Sequence, residues 1–168
     1  WGNRNLVKRK PDDLIHPDVL NSIMSYRRKG VSFRVIDPIA SRVNEWSKYH
    51  IEDVLGYHPA KLKIYQDIIL SEYVLNMLNV KYEIKNNIVQ ERPFAEGRAF
   101  FAHKASIIED ANQRKRFYLE NTSPADEILI TDSNWKEGSQ DYALNNQDKI
   151  VNIKNDNPNY IIIDVVTS

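Results

Sequence analysis

Between Gly56 and Tyr82 the chain carries an apolar stripe at helical spacing. Leu62, Tyr65, Ile69, Tyr73 and Met77 recur at steps of three and four, and Ile68, Leu75 and Leu78 widen the face. Gly56 supplies a turn, and Pro59 suits a first helical turn, where its missing N–H would have no intrahelical partner anyway. The spacing predicts a helix over about residues 59–78, followed at once by the alternating Val80-Lys81-Tyr82-Glu83-Ile84, which reads as a strand. A helix with so broad an apolar face needs a sheet beneath it, so the expected class is α+β: a mixed sheet covered by one long helix and one or two shorter ones.

The flanking segments supply the other layers. His16-Pro17-Asp18 leads into Val19, Leu20, Ile23, Met24 and Tyr26, an amphipathic helix that should stop near Gly30. The triplet occurs in the loop of J-domain co-chaperones, but Lys10-Pro11-Asp12-Asp13 stands where a long basic helix would precede it, so a proline-initiated helix is the reading kept. Val31-Ser32-Phe33-Arg34-Val35-Ile36 alternates and should lie near the sheet centre, ended by Asp37-Pro38. Residues 39–55 read as a long loop with a helical turn. Lys85-Asn86-Asn87 is a hairpin-like turn into Ile88-Val89, Ala99-Phe100-Phe101-Ala102-His103 reads as a strand, and Glu109-Asp110-Ala111 opens a charged helix that Pro124 ends. Ile128-Leu129-Ile130 is short and β-rich, so the expected sheet uses residues 33–36, 81–84, 99–103 and 128–130.

Domain organisation follows from composition. Residues 1–131 form the expected α+β domain with a basic N-terminal arm, 132–147 are rich in Asn, Ser, Gly, Gln and Asp and read as a linker or surface loop, and 148–168 begin a β-rich module. That last piece, with β-prone runs on either side of Asn157-Pro158-Asn159, is expected to be incomplete and to find its neighbours outside this segment.

Several functions are disfavoured by composition. With 42% hydrophobic and 27% charged residues the chain is not disordered throughout, and its apolar runs are too short to span a bilayer. There is no cysteine, hence neither a disulfide nor a thiolate site. Net charge is zero, but residues 1–34 hold eight basic against three acidic side chains, a surplus of +5 that the remainder offsets. The basic arm lacks interleaved aromatics, so no nucleic-acid partner is expected. His16, His50, His58 and His103 have no metal-ligand spacing, and Asp12/Asp13, Glu52/Asp53 and Glu109/Asp110 are adjacent rather than paired across an element. No metal, cofactor or catalytic residue is expected. The candidate ligand site is Tyr57, His58 and Lys61 at the start of the predicted helix, where an aromatic ring, an imidazole, an ammonium and free N–H groups would gather around an anionic or sugar-phosphate ligand.

Arg4-Asn5-Leu6-Val7-Lys8, Phe33-Arg34-Val35, Gly56-Tyr57-His58-Pro59-Ala60-Lys61-Leu62 with Tyr65-Gln66-Asp67, and Leu75-Asn76-Met77-Leu78-Asn79-Val80-Lys81-Tyr82 together resemble the soluble segment of YfhO-like bacterial integral membrane proteins. Gly97-Arg98-Ala99-Phe100-Phe101 and Asn157-Pro158-Asn159-Tyr160 extend the resemblance over nearly the whole chain. It implies a non-catalytic extracytoplasmic domain, at the cell membrane and joined to the transmembrane part of the same parent protein. The parent would resemble glycosyltransferases that use polyprenyl-phosphate sugars, and this domain would assist recognition of a glycan acceptor or lipid-linked sugar. A free-standing interaction module, using an exposed strand and the aromatic loop, is the competing expectation, and an enzyme hidden in the segment ranks third.

Overall fold

Helix α1 (Pro17–Arg28) starts where its sequence dictates. Pro17 occupies the first turn, the His16 ring nitrogen Nδ1 accepts from the Asp18 N–H at 3.3 Å, and Gly30 follows the helix end with φ 74°. The chain then enters β1 (Arg34–Ile36), passes through a 3-10 helix (Glu45–Tyr49) and reaches the two-residue β2 (Glu52–Asp53). The computed structural model describes residues 14–40, 44–56, 63–130, 150–157 and 160–166.

The class is α+β, with a mixed four-stranded sheet at its centre. Its order is β2-β1-β3-β4, where β3 is Val80–Lys85 and β4 is Ile88–Glu91. Strand β1 is interior, parallel to both β2 and β3, while β3 and β4 form an antiparallel hairpin. The turn between them is Asn86-Asn87, with φ 51° and 61°, the left-handed pair that a two-residue hairpin of type I′ requires and asparagine tolerates.

The long predicted helix is in fact two short ones, α2 (Lys63–Ile68) and α3 (Glu72–Met77). The break lies at Ser71, which is extended (φ −71°, ψ 145°) and whose hydroxyl accepts from the Val74 N–H at 3.3 Å, so it caps α3 instead of continuing α2. Leu70 is left 65% exposed at the corner, while Ile69, Tyr73, Val74 and Leu75 turn into the core.

Apolar side chains pack in two clusters. Ile15, Val19 and Ile23 of the α1 region meet Phe33, Val35, Trp46, Tyr82 and Ile84 in one, and Ile36, Val54, Ile69, Tyr73, Leu75 and Val80 form the other, with Phe117 and Tyr118 against it. Neighbouring residues Val35 and Ile36 fall in different clusters, as the period of a strand covered on both faces requires. Beside the first cluster Asp37 is a buried polar anchor. Asp37 accepts from the N–H groups of Ile39 and Ala40 at 3.0 Å and from the Trp46 indole at 3.1 Å, which holds the fully buried ring in place.

Two predicted strands differ. Residues 99–103 carry no strand; β5 is Lys104–Ile107 and pairs in parallel with β6 (Glu127–Ile130) as a separate two-stranded sheet, crossed over by α4 (Ala111–Glu120). Charge explains the register: Lys104 sits opposite Glu127 and pairs with it at 2.9 Å, and the Ser106 hydroxyl also donates to that carboxylate. Ser106 and then Lys104 hold the Glu127 carboxyl below its usual range. Helix α4 starts where the sequence placed it, and Asp110 caps it, accepting from Gln113 N–H at 2.8 Å. Finally β7 (Ile150–Asn157) and β8 (Tyr160–Val166) pair antiparallel, leaving Ile162, Ile163, Val165 and Val166 exposed.

Removing the buried anchor by Asp37→Ala should lower unfolding free energy by about 3 kcal/mol, because three donors lose a charged acceptor; urea denaturation would show it, and an unchanged midpoint would refute the role. Alkaline stability gives a second expectation. Burial, helped by Glu91 and Tyr26, pushes the Tyr82 hydroxyl up to about 12, and burial raises Tyr73 further. The stabilisation from keeping these hydroxyls protonated is complete below about pH 10, where tyrosine in the unfolded chain ionises, and is lost as pH rises through the folded value. Absorbance at 295 nm should therefore show a late tyrosine ionisation to which Tyr82 and Tyr73 contribute, with stability falling over the same range.

Candidate functional site

Tyr57, His58 and Lys61 lie outside the described residues. The approach to them is described: Gly56 comes so near Asn44 that a Cβ there would meet its Oδ1 at 3.2 Å, and Asp53 accepts from the Leu55 N–H at 3.0 Å. Of the neighbouring acids, Glu52 is committed elsewhere. Its carboxylate accepts from Arg34 at 2.7 Å and from Arg98 at 3.2 Å. The remaining histidines are dispersed: His16 caps α1, His50 ends the 3-10 helix with φ 54°, and His103 donates its N–H to the Ala125 carbonyl at 2.7 Å. Among the described residues no group of three or more His, Cys, Asp or Glu side chains could hold a metal ion.

The structure does gather functional chemistry at a cleft of about 620 Å³ that periodicity did not point to, lined by Glu72, Asn76, Pro93, Phe94, Glu96 and Ser123 among others. Its floor is Asn76, only 1% exposed. The Asn76 amide donates to the Thr122 carbonyl and accepts from Arg92, each at 2.8 Å, and its backbone carbonyl accepts from the Glu96 N–H at 3.1 Å. One side chain thus ties α3 to the segments after β4 and before β6. Arg92, itself nearly buried, holds Glu72 with a second guanidinium contact at 2.7 Å and donates from Nε to the Val80 carbonyl at 3.1 Å. Every polar group of this floor has a fixed direction.

Above it stands Phe94, 73% exposed although aromatic. An apolar ring of that size left in water beside a cleft is the kind of exposure that calls for an explanation, unlike a scattered surface leucine. Opposite in character, Glu96 is partly withdrawn from solvent, and its carboxyl is raised above the usual range by that desolvation and by the Asp126 charge. A partly desolvated acid beside a bare aromatic face suits an uncharged polar ligand with one apolar face.

A second cleft, of about 440 Å³, opens where β1 and β2 begin, between Arg27, Ser32, Phe33, His50, Glu52 and Arg98. Its polar side chains come from α1, the two strand entries and the β4–β5 connection.

No family model, curated protein or solved structure matches the chain. Its sites must be read from their own geometry. Signals for the larger cleft were present but weak in the sequence: Asn76 is a lone amide inside an apolar stripe, and Phe94 stands between Pro93 and Gly97 in a segment with no periodicity.

Asn76→Ala should cost about 1–3 kcal/mol, since Arg92 and the Thr122 carbonyl lose a buried partner together. Thermal unfolding read alongside tryptophan emission would separate this local loosening from collapse of the Trp46 cluster; a variant as stable as the parent would show that the amide is not the tie described.

Proposed function

We propose that the chain is a non-catalytic, membrane-proximal extracytoplasmic domain of a YfhO-like membrane protein, and that it assists recognition of a glycan acceptor or lipid-linked sugar. The observation that carries the binding half of this reading is Phe94, exposed over the cleft of Glu72, Asn76 and Glu96. A pyranose ring presents C–H groups on one face and hydroxyls around its edge. The aromatic face of Phe94 would take the former, and the carboxylates, with Ser123, would take the latter. Placement at the membrane rests on the resemblance carried by the Gly56 to Leu62 and Leu75 to Tyr82 blocks. Among the described residues no helix is long and apolar enough to cross a membrane, so anchorage in this reading belongs to the transmembrane part of the parent protein.

A second reading, an interaction module, is favoured by one observation. The β7–β8 hairpin leaves Ile162, Ile163, Val165 and Val166 between 44% and 54% exposed, an apolar surface suited to strand addition.

Titration with soluble cell-envelope oligosaccharides distinguishes the two. Under the first reading the oligosaccharides bind, and Phe94→Ala weakens binding about tenfold while leaving the unfolding midpoint unchanged, because the ring is solvent-exposed. Failure of every glycan, or equal affinity of the variant, would remove the glycan reading. Alkaline phosphatase fused after Ser168 in the gene product expressed in intact cells should be active, as an extracytoplasmic position requires; activity confined to a cytoplasmic reporter would remove the placement.

A further inference from the structure

The cleft at the entry of β1 and β2 plays no part in the glycan reading, and its charge has a different meaning. Arg34 and Glu52 are register partners at the first positions of two parallel strands, so their side chains meet at the end of the sheet where both strands begin. Arg98 reaches the same carboxylate from the β4–β5 connection. Arg27, at the end of α1, donates from Nη1 to the Tyr49 carbonyl and borders the same space. Two guanidinium groups therefore meet one carboxylate, and a third, that of Arg27, borders the same cleft. Val31, Phe33 and Ile51 supply an apolar wall, with Val31 41% exposed.

We propose that this cleft binds a phosphate monoester, with Arg27 and Arg98 on the phosphate oxygens and the uncharged substituent along Val31 and Phe33, and that Glu52 is the internal anion the ligand displaces from Arg98. A planar carboxylate occupies one edge of each arginine it meets, as Glu52 does. A tetrahedral dianion offers three oxygens and can be held by two arginines at once, and Arg27 and Arg98 line the same cleft. Exchange is inexpensive because the Glu52 side chain is 51% exposed, and an ion pair so solvated adds little net stability. Arg34 stays with Glu52 when Arg98 leaves, so the carboxylate is not stranded.

Glu52 thereby opposes binding. It competes for Arg98 and repels the incoming dianion, so its charge opposes binding while both arginines favour it. The test uses phenyl phosphate in solution, followed by 31P NMR and calorimetry at low salt, and, in a second arm, phosphatidylcholine vesicles with and without phosphatidic acid. Binding of either probe should weaken about tenfold in Arg27→Ala and in Arg98→Ala, and should tighten severalfold in Glu52→Gln. The arm that responds identifies a free phosphate or a lipid headgroup as the source. Because Arg27 is exposed and lies at a helix end, its variant should remain folded, which circular dichroism checks. The proposal is overturned if neither probe binds, if the folded Arg27→Ala variant binds as the parent does, or if Glu52→Gln binds more weakly. Phe94→Ala should leave phosphate binding intact, so failure here and failure of the glycan reading are separately visible.

Discussion

The Asn76 amide is the interaction on which the larger cleft depends. Helix α3 is only six residues long and could not by itself fix the segments that pass over it. By satisfying Thr122 and Arg92 with its side chain and Glu96 with its backbone, Asn76 converts three separate stretches into one wall. Burying an amide this completely is tolerable only because its donor and acceptor both have partners. Tyr73, one turn back, reinforces the same junction: its hydroxyl donates to the Glu127 carbonyl at 2.7 Å, and its ring meets Phe117 edge-on.

The two faces of the central sheet are held by different means. On the α1 face an aromatic group closes the packing, with Tyr26 stacked on Tyr82 and Phe33 edge-on to the same ring, and Asp37 pinning Trp46 nearby. On the α3 face aliphatic packing is supplemented by the Tyr73, Phe117 and Tyr118 cluster, which binds the β5–α4–β6 unit to the sheet's helices. Both clefts lie at borders of this arrangement, and the β4–β5 connection contributes Phe94 and Glu96 to one and Arg98 to the other.

Much of the fold was legible where a local signal sufficed. Pro17 and Gly30 bracket α1, Asp110 and Pro124 bracket α4, and the alternation of residues 80–84 with Asn86-Asn87 defines the hairpin. The break at Ser71 was hidden because the apolar spacing continues through it, and only the capping potential of a serine before Glu72 marks the boundary. Which strands share a sheet was not legible either. A strand's own pattern states that one face is buried but not who its neighbour is, and Ile128-Leu129-Ile130 pairs with β5 through Lys104, Ser106 and Glu127. The larger cleft escaped for a related reason, since Glu72, Asn76, Phe94, Glu96 and Ser123 come from three distant stretches and share no motif.

The topology also orders events in time. The β3–β4 hairpin closes across two asparagines already suited to its turn, a contact between near neighbours in sequence that can form within microseconds. Strand β1 can join only by pairing Arg34 with Val80 in parallel, across a connection containing the 3-10 helix, β2, α2 and α3. Closing that long loop costs chain entropy before the pairing returns any energy. The arrival of β1 beside the hairpin is therefore the costly closure in building this sheet, and until it occurs one edge of β3 stands open to any other strand in solution.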